Sequence, residues 1–252
     1  MRKIISLLLI TIVFSTITTN PVYARAGGGS SGGGGGGSSG GGAHSPGTYN
    51  RAPNHYDRSS GHEITIFERI IGFSIFFAFG YSSVIIIKIK LTKLKNKSKL
   101  EIQELEEKDK SWNYNDMQNF VAEAYFAIEN AWKDSDMSNA SNYMMPSLLE
   151  NFQIKLNWME VQKKKNIMDK IELIDAYPVS LYDDAEDDKD YVWFYIKGKM
   201  IDYTIDTETN EIIKGDTKRK SFVEYWQFKR TDDKKWALNK ILQEDEQDEI
   251  GI

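Results

Sequence analysis

The sequence predicts an α+β fold, with helices packed on a curved four-stranded antiparallel sheet and a single transmembrane helix ahead of it. Three observations lead there. Residues 70–87, IIGFSIFFAFGYSSVIII, carry no charge. From Asn113 to Val161 apolar side chains recur every three or four residues, and from Ile167 to Gln243 the period shortens to two.

The uncharged run is eighteen residues long, roughly 27 Å as a helix, which matches the hydrocarbon core of a bilayer. Extended back to Ile64, it predicts a membrane span over 64–87. Lys88, Lys90, Lys93, Lys95, Lys97 and Lys99 follow it with no acid among them. Basic residues collect on the cytoplasmic side of a span, so this ladder predicts a cytoplasmic C-terminal part and an extracytoplasmic N-terminal part. The same lysines are the candidate contacts to membrane lipids. Small residues recur every four positions at Ser74, Ala78 and Ser82, a weak signal for homo-oligomerisation through this helix.

Ahead of the span, residues 1–24 have a basic start, an apolar centre and small residues at a cleavage position, and read as a signal peptide. Residues 25–63 form a Gly/Ser-rich extracytoplasmic segment expected to be disordered; residues 27–47 hold 13 of the 19 glycines. The three histidines, His44, His55 and His62, all precede the span at spacings that fit no tight ligand set, and there is no cysteine. The sequence therefore predicts no metal and no cofactor, and excludes disulfides and a cysteine nucleophile.

Charge divides the chain as well. Of 32 basic and 37 acidic residues, twenty basic and 34 acidic fall after residue 99, a net charge of −14 for that part. Such a domain repels phosphate backbones, so nucleic acid is not an expected partner.

Residues 88–112 read as a juxtamembrane linker, basic and then acidic, and 113–243 as the folded domain. Its first helix has Asn115 as expected N-cap and a stripe of Met117, Phe120, Val121, Ala124, Tyr125, Ile128, Ala131 and Trp132. A second starts at Pro146, suited to a first turn, with Leu148, Leu149, Phe152, Leu156, Met159 and Val161 as its apolar face. Four strands follow: 167–180, 191–205, 221–230 and 235–243. The polar links between them, 206–216 among these, favour antiparallel neighbours. Residues 244–252 read as an acidic tail.

The segments YFAIENAWKDSD (125–136), FVEYWQFKR (222–230) and WALNKILQ (236–243) resemble the C-terminal domain of the mitochondrial inner-membrane translocase subunit that tethers the import motor, a family with membrane-anchored bacterial relatives. The matching positions are Phe120, Ala124, Ile128, Trp132, Glu224, Trp226, Phe228, Arg230, Trp236, Leu238, Ile241 and Gln243. The resemblance implies a cone related to nuclear transport factor 2, with a pocket between sheet and helices, attached to a membrane and used to hold partners. It also implies a link to protein translocation or membrane-protein assembly.

From the aromatic residues of the strands, a pocket lined by Trp193, Tyr195, Met200, Tyr203, Tyr225 and Trp226 is expected. The reading is a noncatalytic binding domain for a protein, peptide or lipid partner, with a small-molecule sensor as the alternative. An isomerase-like enzyme is a weaker alternative. It would need Asp202 or Glu224 as base beside Tyr195 or Tyr203 as donor.

Overall fold

The computed structural model describes residues 66–184 and 189–251. The signal peptide, the Gly/Ser-rich segment and the three histidines lie outside them. Two units divide the chain between Ile89 and Lys90. In the first, helical backbone is described over residues 66–89, as part of helix α1, Ile66–Glu106. Most side chains of the apolar run lie outside the described residues, and among those described no helix is long and apolar enough to cross a membrane.

The second unit is the folded domain. Its elements are the end of α1, then α2 (Tyr114–Lys133), α3 (Pro146–Val161), β1 (Lys164–Tyr182), β2 (Tyr191–Asp206), β3 (Ile212–Arg230) and β4 (Trp236–Gln243). The strands form one antiparallel sheet in the order β1-β2-β3-β4. Helix α2 carries the expected stripe, with Val121, Ala124, Tyr125, Ile128 and Trp132 buried. Its cap is Asn113, not Asn115: the Asn113 side chain accepts from the Asp116 backbone N–H at 2.8 Å and donates to Glu106 Oε1 at 2.7 Å. Extended backbone at Asn113 makes it the last residue outside the helix, which leaves Asn115 in the first turn.

The fold also departs from expectation at three places. Strand β3 begins nine residues early, at Ile212, because its charged first half is held by the β2 backbone. Gly215 sits opposite Tyr203 there with φ +79°, where a Cβ would come within 2.5 Å of the Asp202 carbonyl oxygen. The core reaches back beyond residue 113, taking in fully buried Ile102 and Trp112. Helix α3 turns Phe152 and Leu156 inward but leaves Val161 exposed.

Candidate functional site

Strand β2 sets the geometry of any site, because successive side chains alternate between the two faces of the sheet. Val192, Phe194, Ile196 and Met200 point into the main core beneath the helices. Trp193 and Tyr195 point the other way, into a second cluster with Tyr177, Val179, Tyr225 and Leu242. The register pairs Tyr195 with Tyr225 and Phe194 with Trp226, so Tyr225 lies on the outer face and Trp226 on the inner. The expected pocket residues therefore do not converge. Met200 and Trp226 belong to the inner face; Trp193, Tyr195, Tyr203 and Tyr225 belong to the outer one.

The inner face is filled by side chains and carries buried polar pairs. Trp226 Nε1 donates to Glu224 Oε2 at 2.9 Å, and Gln243 Nε2 donates to Glu224 Oε1 at 3.1 Å. Further along, Trp132 Nε1 donates to Asn166 Oδ1 at 3.0 Å, and Asn166 Nδ2 donates to Asp202 Oδ1 at 2.7 Å. Lys155 of α3 enters the same layer, 5.2 Å from the Trp132 ring centre. Burial lowers its pKa, the Lys214 charge adds to the fall, and Glu224 opposes it. Gly198 is needed on this face because a Cβ there would come within 2.3 Å of the Phe222 ring and 2.5 Å of the Tyr125 hydroxyl. Asp202 and Glu224 thus lie across the sheet from Tyr195 and Tyr203. The base and donor pairs of the enzyme alternative are not formed.

The outer face has two halves. Its first half is covered: Leu91 and Leu94 of α1 and Ile250 of the C-terminal tail pack on it, and Tyr225 donates to Gln247 Oε1 at 3.1 Å. Within the acidic tail, Glu244–Ile250 forms a short 3-10 helix. Tyr177 and Tyr195 stack at 4.7 Å, and the Lys95 ammonium lies 4.4 Å from the Tyr177 ring centre. In the second half of β2, Ile201, Tyr203 and Ile205 are half-buried, and Ile212, paired with Ile205, is exposed.

Burial raises the pKa of all three clustered tyrosines above the ordinary 10.0. For Tyr195, pushed up to about 12, burial is followed by the charges of Glu244 and Asp175. Between the unfolded and folded values the native state holds more protons. The stabilisation is therefore complete below pH 10 and is lost as pH rises through the folded values. In an alkaline titration, most of the 13 tyrosines should ionise before the circular dichroism changes, and these three only as the fold is lost. Ionisation of all tyrosines below pH 11, with the fold intact, would contradict this packing.

Five of the six ladder lysines, Lys88, Lys90, Lys93, Lys97 and Lys99, are exposed on α1, and Lys95 is half-buried. Lys97 pairs with Glu101 at 3.5 Å, and Lys99 Nζ lies 5.0 Å from the Tyr114 ring centre. Leu91, Ser98 and Ile102, at spacings of seven and four residues, turn inward. The exposed lysines share the outside of this stretch with exposed Ile89 and Leu100.

A family model described as the Tim44-like domain matches residues 98–243, more than half of the chain. The chain belongs to the Tim44-like domain family. The matched region starts inside α1, in keeping with a Tim44-like core that includes Ile102 and Trp112. Two solved structures have weaker likenesses to this Tim44-like chain. One is the intermembrane-space region of the chloroplast protein ARC6, 10% identical, covering 52% of this chain and 95% of that one, with a TM-score of 0.38. The other is an Ntf2-like protein involved in plasmid conjugation, 14% identical, covering 40% of this chain and 42% of that one, with a TM-score of 0.22. No curated protein matches.

Proposed function

We propose that the protein is a membrane-tethered, noncatalytic binding domain. Residues 64–87 span the cell membrane, the Gly/Ser-rich segment lies outside, and the Tim44-like domain works at the cytoplasmic face. Membership of the Tim44-like family and the lysine ladder beside an uncharged run support this arrangement. The observation that carries the binding role is the open outer face around Tyr203. Ile201, Tyr203 and Ile205 lie in a row on one side of the sheet, uncovered by the helix and tail that pack on the first half. A protein or peptide partner, in translocation or membrane-protein assembly, is the occupant this face suits. The sensor alternative has less support, since Met200 and Trp226, expected to line a pocket, are packed among core side chains.

The test places a photoreactive residue at Tyr203 in the full-length chain in living cells, with the same residue at Tyr195 as comparison. A discrete protein adduct from position 203 that is absent or weaker at 195 is the expected result. Equal labelling at both positions, or none at 203, counts against the open half as the binding face.

A further inference from the structure

The outer face of the sheet carries lysines as well as aromatic side chains. Along β2 the outward positions after Trp193 and Tyr195 are Lys197 and Lys199, both half-buried, and only then come Ile201, Tyr203 and Ile205. The register sets Val223 opposite Lys197 and Ser221 opposite Lys199. Lys229, opposite Tyr191, and Lys240, opposite Gln227, lie on the same face. From Tyr191 to Lys199 the outward positions of β2 and their partners on β3 and β4 thus include these four lysines and no acid. Edge strand β1 adds Asp175 opposite Lys197, and Glu172 opposite Lys199, which is paired with Arg219. The chain after residue 99 has a net charge of −14, so the sign is locally reversed here.

The C-terminal tail shows what chemistry this face accepts. Its sequence EDEQDEI, residues 244–250, holds five acids and one aliphatic side chain. Folded back on the sheet, it packs Ile250 on the aromatic cluster, accepts from the Tyr225 hydroxyl at Gln247 and sets Glu249 2.6 Å from Lys240 Nζ. An acid meets a lysine, and an aliphatic side chain meets the rings. Farther along β2, Lys197 and Lys199 repeat that mixture of cation and apolar neighbour in front of Ile201 and Tyr203.

We infer that the outer face takes an acidic peptide segment with apolar side chains, supplied by a protein partner and laid from Tyr203 across Lys199 and Lys197 toward the tail. The inference rests on the binding face proposed above and names the class of its partner. From Tyr203 back to Tyr195 is a span of about 27 Å in extended strand, room for about eight residues of extended peptide. Carboxylates reach the lysine heads, whose stems lie along the sheet, while apolar side chains cover Ile201 and Tyr203. A phosphate polymer suits the face less well. The surrounding negative charge repels it, and it has no apolar side chain to bury among the rings.

The probe is a fluorescent peptide that repeats the tail sequence EDEQDEI twice, added to the full-length protein in phosphatidylcholine nanodiscs and followed by anisotropy. Binding should weaken as salt rises, and a photoreactive residue at position 203 should crosslink the peptide. Lys197→Gln with Lys199→Gln should weaken binding roughly threefold to tenfold, with an unchanged circular dichroism spectrum. Lys133→Gln with Lys235→Gln, which removes two exposed lysines elsewhere, should leave it unchanged. Equal weakening by the two pairs, or equally tight binding of polyphosphate, overturns the inference in favour of a general attraction for anions. Tighter binding of a peptide with lysine in place of every acid overturns it as well. No peptide binding, while position 203 still gives a discrete protein adduct in living cells, removes the acidic partner and leaves the binding face standing. Neither peptide binding nor an adduct at 203 removes both.

Discussion

Replacing Arg230 with methionine should lower the unfolding free energy by about 3–5 kcal/mol, because it leaves the buried Asp190 carboxylate, which also accepts from the Asp184 backbone N–H, without its counter-ion. The Arg230 and Asp190 side chains are each 1% exposed, and Arg230 Nε lies 3.0 Å from Asp190 Oδ2, close but not aligned for a hydrogen bond. Arg230 also donates through Nη2 to Asp109. Its guanidinium carbon lies 4.9 Å from the Trp236 ring centre and 5.6 Å from that of Trp112. The Trp236 Nε1 donates to the Ser111 carbonyl at 3.2 Å. One side chain thus ties the turn after α1 to the end of β3 and the start of β4. At this domain size the loss corresponds to a fall in Tm on the order of 10 °C. Adding Asp190→Asn should recover part of it, since the uncharged partner no longer needs the guanidinium. Equal loss in the single and double variants would assign the effect to packing between the two tryptophans. Asp109 adds a pH dependence. Burial raises its pKa, but hydrogen bonds from Ser111 and Arg230, with the Arg230 charge, outweigh burial and lower it overall. Its contribution is present above the unfolded value near 3.8 and is lost as pH falls through the folded one.

Trp226→Ala should cost about 3–5 kcal/mol, whereas Tyr203→Ala should cost about 1 kcal/mol or less. Trp226 is fully buried, 5.7 Å from Tyr125 and 6.3 Å from Phe228 between ring centres. Its loss opens a cavity and removes the N–H that Glu224 accepts. Tyr203 is half-buried on the open outer face, where truncation removes contact area but leaves no void. Chemical denaturation of the two variants measures the difference directly. Similar costs would mean that the outer half around Tyr203 is packed as tightly as the core, and a binding role there would lose its basis.

Much of the fold is legible in the residues because its periods are strong. Helix α2 follows from its apolar stripe, and β2 and β4 from alternation and from the turn residues at their ends. The start of β3 is hidden, since Lys214, Asp216, Lys218, Arg219 and Lys220 look like a loop; Lys214, Asp216 and Lys220 pair with β2, while Lys218 and Arg219 sit in the bulge between them. Ile102 and Trp112 are masked by the acids around them. The division of the expected pocket follows from strand parity. Tyr225 and Trp226 are adjacent in one strand and cannot share a face, and Met200 differs in parity from Trp193, Tyr195 and Tyr203. In α3 the apolar residues lie on more than one side, so the spacing alone does not separate buried Phe152 and Leu156 from exposed Ile154, Trp158 and Val161.

The membrane-tethered arrangement is tested most directly by where each end of the chain can be labelled. In a chain without cysteine, Ser59→Cys and Ser138→Cys can each be exposed to a membrane-impermeant maleimide in intact cells and again after permeabilisation. Membrane-bound protein labelled at 59 in intact cells, and at 138 only once the membrane is opened, is the expected result. Labelling at 138 in intact cells, or recovery of the protein from the soluble fraction, would contradict it.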